Sequence, residues 1–315
     1  MGLVFRLKPA IKDYIWGGTR LRDEFGKTSD GERLAESWEL SCHPDGLSVI
    51  DGGKFGGMTL ADYLREHPEA MGTQGITCER FPIMIKLIDA RENLSVQVHP
   101  NDEYAMEHEG ESGKNEMWYV VDCEPDASII YGFKEEITKD EFRQAIEENT
   151  LLDKVNVVPV KKGDIFMIRA GTLHAIGKGC LIAEIQQSSN VTYRVYDYGR
   201  PRELHIDKAL DVTQRTRSDI PEQTGGTPIC AQTCRLIGCE YFNVFRQDIC
   251  GTGEENCNGG SFTHILVLDG SGTLESGDTD SGKIKAEKGD SFFVSAGTNW
   301  RITGECSIIY TCIGE

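Results

Sequence analysis

Residues 162–174, KGDIFMIRAGTLH, return 126 residues later as KGDSFFVSAGTNW at positions 288–300. Lys-Gly-Asp, a Phe, Ala-Gly and Thr recur in register, with alternating apolar residues between a Gly-Asp turn and a Gly turn. This is the pattern of one hairpin arm of a small barrel, whose successive side chains point alternately inward and outward. The chain is therefore expected to be mainly β and to carry two related β modules. The two copies part at their last residue, which is His174 in the first and Trp300 in the second.

Upstream of His174, two further strand-like segments offer metal ligands: Gln97 and His99 in LSVQVHPND, and Glu116 in GKNEMWYVVD. Gln97 and His99 are two residues apart and share one strand face, Val96 and Val98 take the other, and Pro100 ends the strand. Glu116 shares its face with Trp118 and Val120, in surroundings so apolar that an unpartnered carboxylate is costly to bury. A metal would satisfy it, and so would a salt bridge to Lys114 on the same face. His174 lies between glycines that let backbone approach a ligand closely. Each histidine alone also fits a core imidazole bonded to backbone. Together, two imidazoles, a carboxylate and an amide oxygen form a donor set for Zn2+ with the open coordination of a catalytic site. In the second module the corresponding span runs from Thr263 to Trp300, and only His264 lies near its earlier strand, so that module is expected to hold no metal.

Glu116 and His174 are 58 residues apart, whereas Thr263 and Trp300 are 37 apart. The excess of 21 matches a helical insertion around 134–153, opened by a capping box at Thr138-Lys139-Asp140-Glu141. TLADYLREHPEA, from Thr59, reads as a helix with Thr59 as N-cap and Leu60, Tyr63 and Leu64 on one face; the rest of residues 1–57 reads as strands and turns. Residues 213–232, rich in Gly, Thr and Pro, read as a linker between a domain at 1–212 and a second at 233–315.

With 51 acidic against 33 basic residues, the net charge of −18 opposes binding to a nucleic-acid backbone. An anionic small substrate would need a local basic cluster, and Lys86, Lys114, Arg194 and Arg200 lie near the segments above. No apolar run approaches the length of a membrane span. The opening MGLVFRLKPAIKDYIWGG lacks a signal peptide's apolar core, and Arg6 stands where a myristoylation motif needs Ser or Thr, so a cytoplasmic location is expected. Eleven scattered cysteines suit reduced thiols there. The group Cys230, Cys234, Cys239, Cys250 and Cys257 is too irregular to favour a structural zinc site.

Taken together, Trp16-Gly17-Gly18, Ala35-Glu36-Ser37-Trp38, QVHPND, GKNEMW, GTLHA and SSNVTYR give the chain a resemblance to the type I mannose-6-phosphate isomerases in their short bacterial form. The resemblance implies two cupin-type (jelly-roll) β-barrels, one Zn2+ per chain on Gln97, His99, Glu116 and His174, and a phosphorylated sugar substrate. It also implies catalytic roles for Arg194, Glu184 and Lys114, and places Ser95 and Arg200 on the substrate side. Arg200 stands where the long eukaryotic forms carry lysine. A monomer or weak homodimer is expected. The alternatives are an Fe(II) cupin dioxygenase, whose two histidines and carboxylate would be shared, and a non-catalytic sugar-binding cupin. Read from periodicity alone, Arg194 also fits a surface ion pair and Glu184 an ordinary acidic side chain.

Overall fold

A computed structural model describes residues 3–73, 80–221, 233–255, 259–276 and 282–314. The chain is mainly β and divides into two compact units, one of residues 1–13, 19–87 and 227–315, the other of residues 14–18 and 88–226. This division does not follow the expected 1–212 and 233–315 boundaries. The reason is a long-range strand pairing: Val4–Lys8 lies antiparallel to Ser291–Val294, with Val4 opposite Val294, and so belongs to the sheet of the C-terminal module. In the expected linker, 213–221 packs back on the second unit, where Ile137 N donates to the Arg215 carbonyl at 2.9 Å and Ser218 N to the Phe133 carbonyl at 3.0 Å. Residues 222–232, with Cys230, and residue Cys257 lie outside the described residues.

In the unit of residues 88–226, one sheet has the order Tyr193–Tyr196, Val96–Val98, His174–Ile176, Ser128–Phe133, Val155–Pro159. Val96, Val98, Ala175, Tyr193 and Val195 enter one apolar core, which leaves the alternate residues for the opposite face. The strand Glu116–Cys123 lies between Ile165–Ile168 and Cys180–Gln187. Between Phe133 and Val155 run helices Lys139–Glu147 and Leu151–Lys154, the first opened by the Thr138–Glu141 capping box. Three helices escape the sequence reading, the short Arg20–Asp23 in the stretch expected to hold only strands and turns, and two in this unit. Asp102–His108 starts at Asn101, whose side chain accepts from Tyr104 N at 3.0 Å, a cap that the Asn-Asp-Glu run after Pro100 signals. Ile206–Val212 starts without a side-chain cap.

The internal repeat is a repeat of hydrogen bonds as well as letters. Asp164 Oδ2 accepts from Lys161 N at 2.9 Å, and Asp290 Oδ2 accepts from Glu287 N at 2.8 Å. Gly163 and Gly289 take φ of 91° and 90°, a left-handed conformation that favours glycine. Ile168 pairs with Glu116, and its repeat mate Val294 pairs with Thr263. Thr263 therefore stands where Glu116 stands, as the 37-residue span predicts. His264 falls on the neighbouring register position, buried, with its Nε2 at 2.7 Å from Ser291 Oγ. Trp300, 1% exposed, fills the place of His174 and packs with Ile265, Phe292, Ile302 and Tyr310. One copy of the arm presents ligands; the other presents apolar core.

Two expectations follow from the packing of the second copy. Trp300→Ala should lower stability by roughly 3–5 kcal/mol, the usual loss for a buried aromatic, while bound metal stays at the wild-type level; an unchanged melting temperature with lost activity would place Trp300 in the active site instead. His264 is pushed down to about 3, by burial first and then by the Lys27 charge. Its folded-state value lies below its unfolded one, so it is neutral in the fold and costs stability as pH falls below about 6.5. Denaturant titrations of His264→Asn should therefore show a stability that falls less steeply with acid between about pH 6.5 and 4 than that of wild type. Parallel slopes would contradict the assignment.

Candidate active site

Strand register alone assembles one side of the site. Arg194 lies opposite Gln97, Gln97 opposite His174, and His174 opposite Tyr131, a row across four strands whose side chains share a face. On the other sheet Glu116 lies opposite Gln186, and Trp118 opposite Glu184. These faces meet at His99, whose Nε2 is 3.0 Å from Glu116 Oε1, while His174 Nε2 is 3.8 Å from Glu116 Oε2. Among the described residues, His99, Glu116 and His174 are the one group of three His, Cys, Asp or Glu side chains whose ligand atoms converge within 4.8 Å.

The protonation states are set locally. His99 Nδ1 lies 2.8 Å from the Val191 carbonyl, and His174 Nδ1 2.8 Å from the Thr172 carbonyl. A carbonyl can only accept, so each Nδ1 carries the proton and each Nε2 points a lone pair at Glu116. Burial pushes His99 down to about 3, helped by the Lys114 ammonium, and burial likewise lowers His174. Burial alone would raise the Glu116 carboxyl. The Lys114 ammonium, with its Nζ 2.7 Å from Oε1, outweighs this and holds Glu116 well below the usual carboxylate range. Two neutral imidazoles and a carboxylate thus aim acceptors at one buried point. His174 Nε2 has no hydrogen-bond partner there. That orphaned acceptor fits a cation bound among them.

The remaining predicted residues are placed as follows. Ser95 is buried, and its Oγ donates to Gln97 Oε1 at 3.3 Å and accepts from Arg194 Nε at 3.2 Å, so it links the amide to the guanidinium. Glu184 is buried, and its Oε2 accepts from Trp118 Nε1 at 2.9 Å. The same indole N–H reaches Glu116 Oε2 at 3.0 Å. Trp118 therefore bridges a candidate ligand and a candidate proton carrier, a role missed in the sequence because Glu184 is remote along the chain. Arg200 lies in the turn after Tyr193–Tyr196 and donates to Asp197 and to the Asn93 carbonyl. Asp197 was not singled out in the sequence. Lys86 belongs to the other unit, where its Nζ lies 3.7 Å from Glu36 and over the Trp38 ring.

Fold and ligand group define a class, a mainly β protein of cupin type with a histidine–carboxylate cluster. Residues 232–313 match the mannose-6-phosphate isomerase cupin domain, and residues 4–130 match the catalytic domain of phosphomannose isomerase type I. The chain is 41% identical to mannose-6-phosphate isomerase ManA of Bacillus subtilis strain 168, over 86% of this chain and 87% of that one. It is 38% identical to mannose-6-phosphate isomerase of Streptococcus mutans, over 96% of each. The crystal structure of mannose 6-phosphate isomerase from Bacillus subtilis superposes with a TM-score of 0.86 at 37% identity, covering 98% of this chain and 99% of that chain. The chain belongs to the type I phosphomannose isomerase family, enzymes of the aldose–ketose isomerase class.

His99→Ala and His174→Ala should each lose most of the capacity to take up added zinc, measured by elemental analysis, with the far-ultraviolet circular dichroism of wild type, because the apolar cores lie on the other strand faces. Zinc at the wild-type level in both variants would rule the cluster out. Acid should release the metal as well. Both histidines are held neutral, His99 down to about 3, so protons compete for the same lone pairs only well below the ordinary imidazole range.

Proposed function

We propose that this chain interconverts mannose 6-phosphate and fructose 6-phosphate through an enediol, with one Zn2+ per chain held by Gln97, His99, Glu116 and His174. The observation that carries the reading is the convergence of two imidazole lone pairs on a buried carboxylate, with Arg194 in the same cross-strand row, in a chain 41% identical to a mannose-6-phosphate isomerase. On this reading each module closes as a cupin-type barrel, and only the one of residues 88–226 keeps its ligands. The enzyme acts in the cytoplasm as a monomer or weak homodimer.

When bound, zinc supplies Lewis-acid polarisation of the sugar's carbonyl and hydroxyl oxygens without redox chemistry. Moving a proton between adjacent carbons also needs a base that returns what it takes. Lys114 Nζ is engaged by Glu116 Oε1 at 2.7 Å and lies 3.5 Å from His99 Nε2, an ion pair that sets it beside the ligands. The proton transfer is accordingly assigned to Glu184, whose carboxylate the Trp118 N–H holds in place. Arg194, anchored on Ser95 Oγ and the Glu203 carbonyl, keeps Nη2 for developing oxyanion charge. Ser95 orients Gln97, and Arg200 serves the phosphate.

A coupled isomerase assay with mannose 6-phosphate, with and without chelator, tests the reading: turnover should vanish with the metal. Chelator-resistant turnover, or oxygen consumption instead of isomerisation, would contradict it. Arg194→Ala should lower kcat by roughly 10²–10³-fold, the usual loss of one oxyanion donor, with KM changed far less. Arg200→Ala should chiefly raise KM for the phosphorylated sugar. A KM effect from Arg194 with kcat intact would reverse the assignment.

A further inference from the structure

We infer that Asp197 is the positioning residue of the substrate's anion site, tying Arg200 and Arg202 into one cluster beside Arg194 that selects phosphorylated over free sugar; this rests on the isomerase reading above. Asp197 follows the strand Tyr193–Tyr196 and is 4% exposed. Its Oδ2 accepts from Arg202 Nε at 2.6 Å, and its Oδ1 accepts from Arg202 Nη2 at 2.7 Å and from Arg200 Nη2 at 2.7 Å and Nε at 3.0 Å. The turn that makes this possible has positive φ at Tyr198 (52°) and Gly199 (78°), which folds Arg200 back on the strand end. Arg200 Nη2 also donates to the Asn93 carbonyl at 2.8 Å, fixing the turn to the segment that leads into Ser95.

One buried carboxylate thus serves two guanidiniums and leaves an excess positive charge. Arg194 adds to it. Its charged form is disfavoured by burial first and next by Arg202, with Arg200 also contributing, so the three cations feel one another. Each guanidinium carries five N–H donors. Among the described residues, Arg202 engages only Nε and Nη2, and Arg200 leaves Nη1. Fixed guanidiniums with donors to spare suit a phosphate dianion, which guanidiniums bind with geometric preference. The position fits too. Arg194 is two strands from His174 in the cross-strand row, about 10 Å between backbones at the usual strand spacing, so the cluster lies toward the far end of a small sugar held at the ligand group. In a chain of net charge −18, an anionic substrate needs such a place.

Asp197→Asn gives the two possible roles opposite signs. If Asp197 only neutralises charge, its loss makes the cluster more positive and phosphate binds more tightly. If it positions, the guanidiniums lose their common anchor and binding weakens despite the added charge. We expect affinity of the zinc-loaded chain for inorganic phosphate, measured by calorimetry, to weaken roughly tenfold or more, the scale of one charge-assisted hydrogen bond. KM for mannose 6-phosphate should rise with it, and kcat should fall less. Arg202→Gln, at a half-exposed position, should raise the same KM and narrow the preference for mannose 6-phosphate over mannose, and it keeps the test open if Asp197→Asn does not fold. Unchanged or tighter phosphate binding in folded Asp197→Asn, or equal losses for phosphorylated and free sugar in Arg202→Gln, overturns the inference. Phosphate binding needs no turnover. If the variants lose phosphate but the wild-type chain never isomerises mannose 6-phosphate, the isomerase reading has failed, and with it the selectivity, while the anion cluster stands. If the chain isomerises and phosphate affinity ignores both substitutions, only the cluster has failed.

Discussion

His99 Nε2, His174 Nε2 and the Glu116 carboxylate are all acceptors, all buried, and all directed at one point. Desolvated acceptors repel one another, and the Lys114 ammonium reaches only part of the group. The surrounding structure holds this arrangement in place. Two backbone carbonyls fix the histidine tautomers, the Trp118 N–H fixes one carboxylate oxygen, and strand pairing fixes the spacing. Outer contacts of this kind orient ligands and set their basicity, which makes them as much a part of a metal site as the ligands are.

The second module shows what the same arm does without that demand. It repeats the Gly-Asp turn and its hydrogen bonds, but Thr263 stands for Glu116 and Trp300 for His174. Its interior is closed by aromatic packing, with Trp300 edge-on to Tyr310 at 5.4 Å between ring centres. Comparing the two copies separates what the arm needs in order to fold from what it needs in order to bind. The turn residues belong to folding and recur; the two ligand positions belong to binding and do not.

This separation also explains what was legible in the sequence. The Asp164 and Asp290 turns could be read because each bond is closed within a few residues, and the grouping of His99, Glu116 and His174 because strand periodicity sets the faces on which such residues lie. Thr138 and Thr59 announced their helices by local capping. The relations that escaped depend on distant partners. Val4–Lys8 joins a strand nearly 290 residues later, and nothing local marks it. Trp118 was read as sharing a face with Glu116, but its second acceptor, Glu184, comes from the strand Cys180–Gln187. Asp197 is one of 51 acidic residues, and its importance appears only once the turn at Tyr198 and Gly199 brings Arg200 and Arg202 onto one carboxylate.

On the proposed reading a metal sits among these acceptors, the one such group among the described residues. X-ray absorption at the zinc edge, on the chain loaded with one equivalent of zinc, measures the ligand shell directly. The account predicts a shell of nitrogen and oxygen donors without sulfur, with the outer scattering of two imidazoles, and only one imidazole around the small residue of zinc that His174→Ala still binds. Sulfur in the shell, or a spectrum that the substitution leaves unchanged, would contradict it.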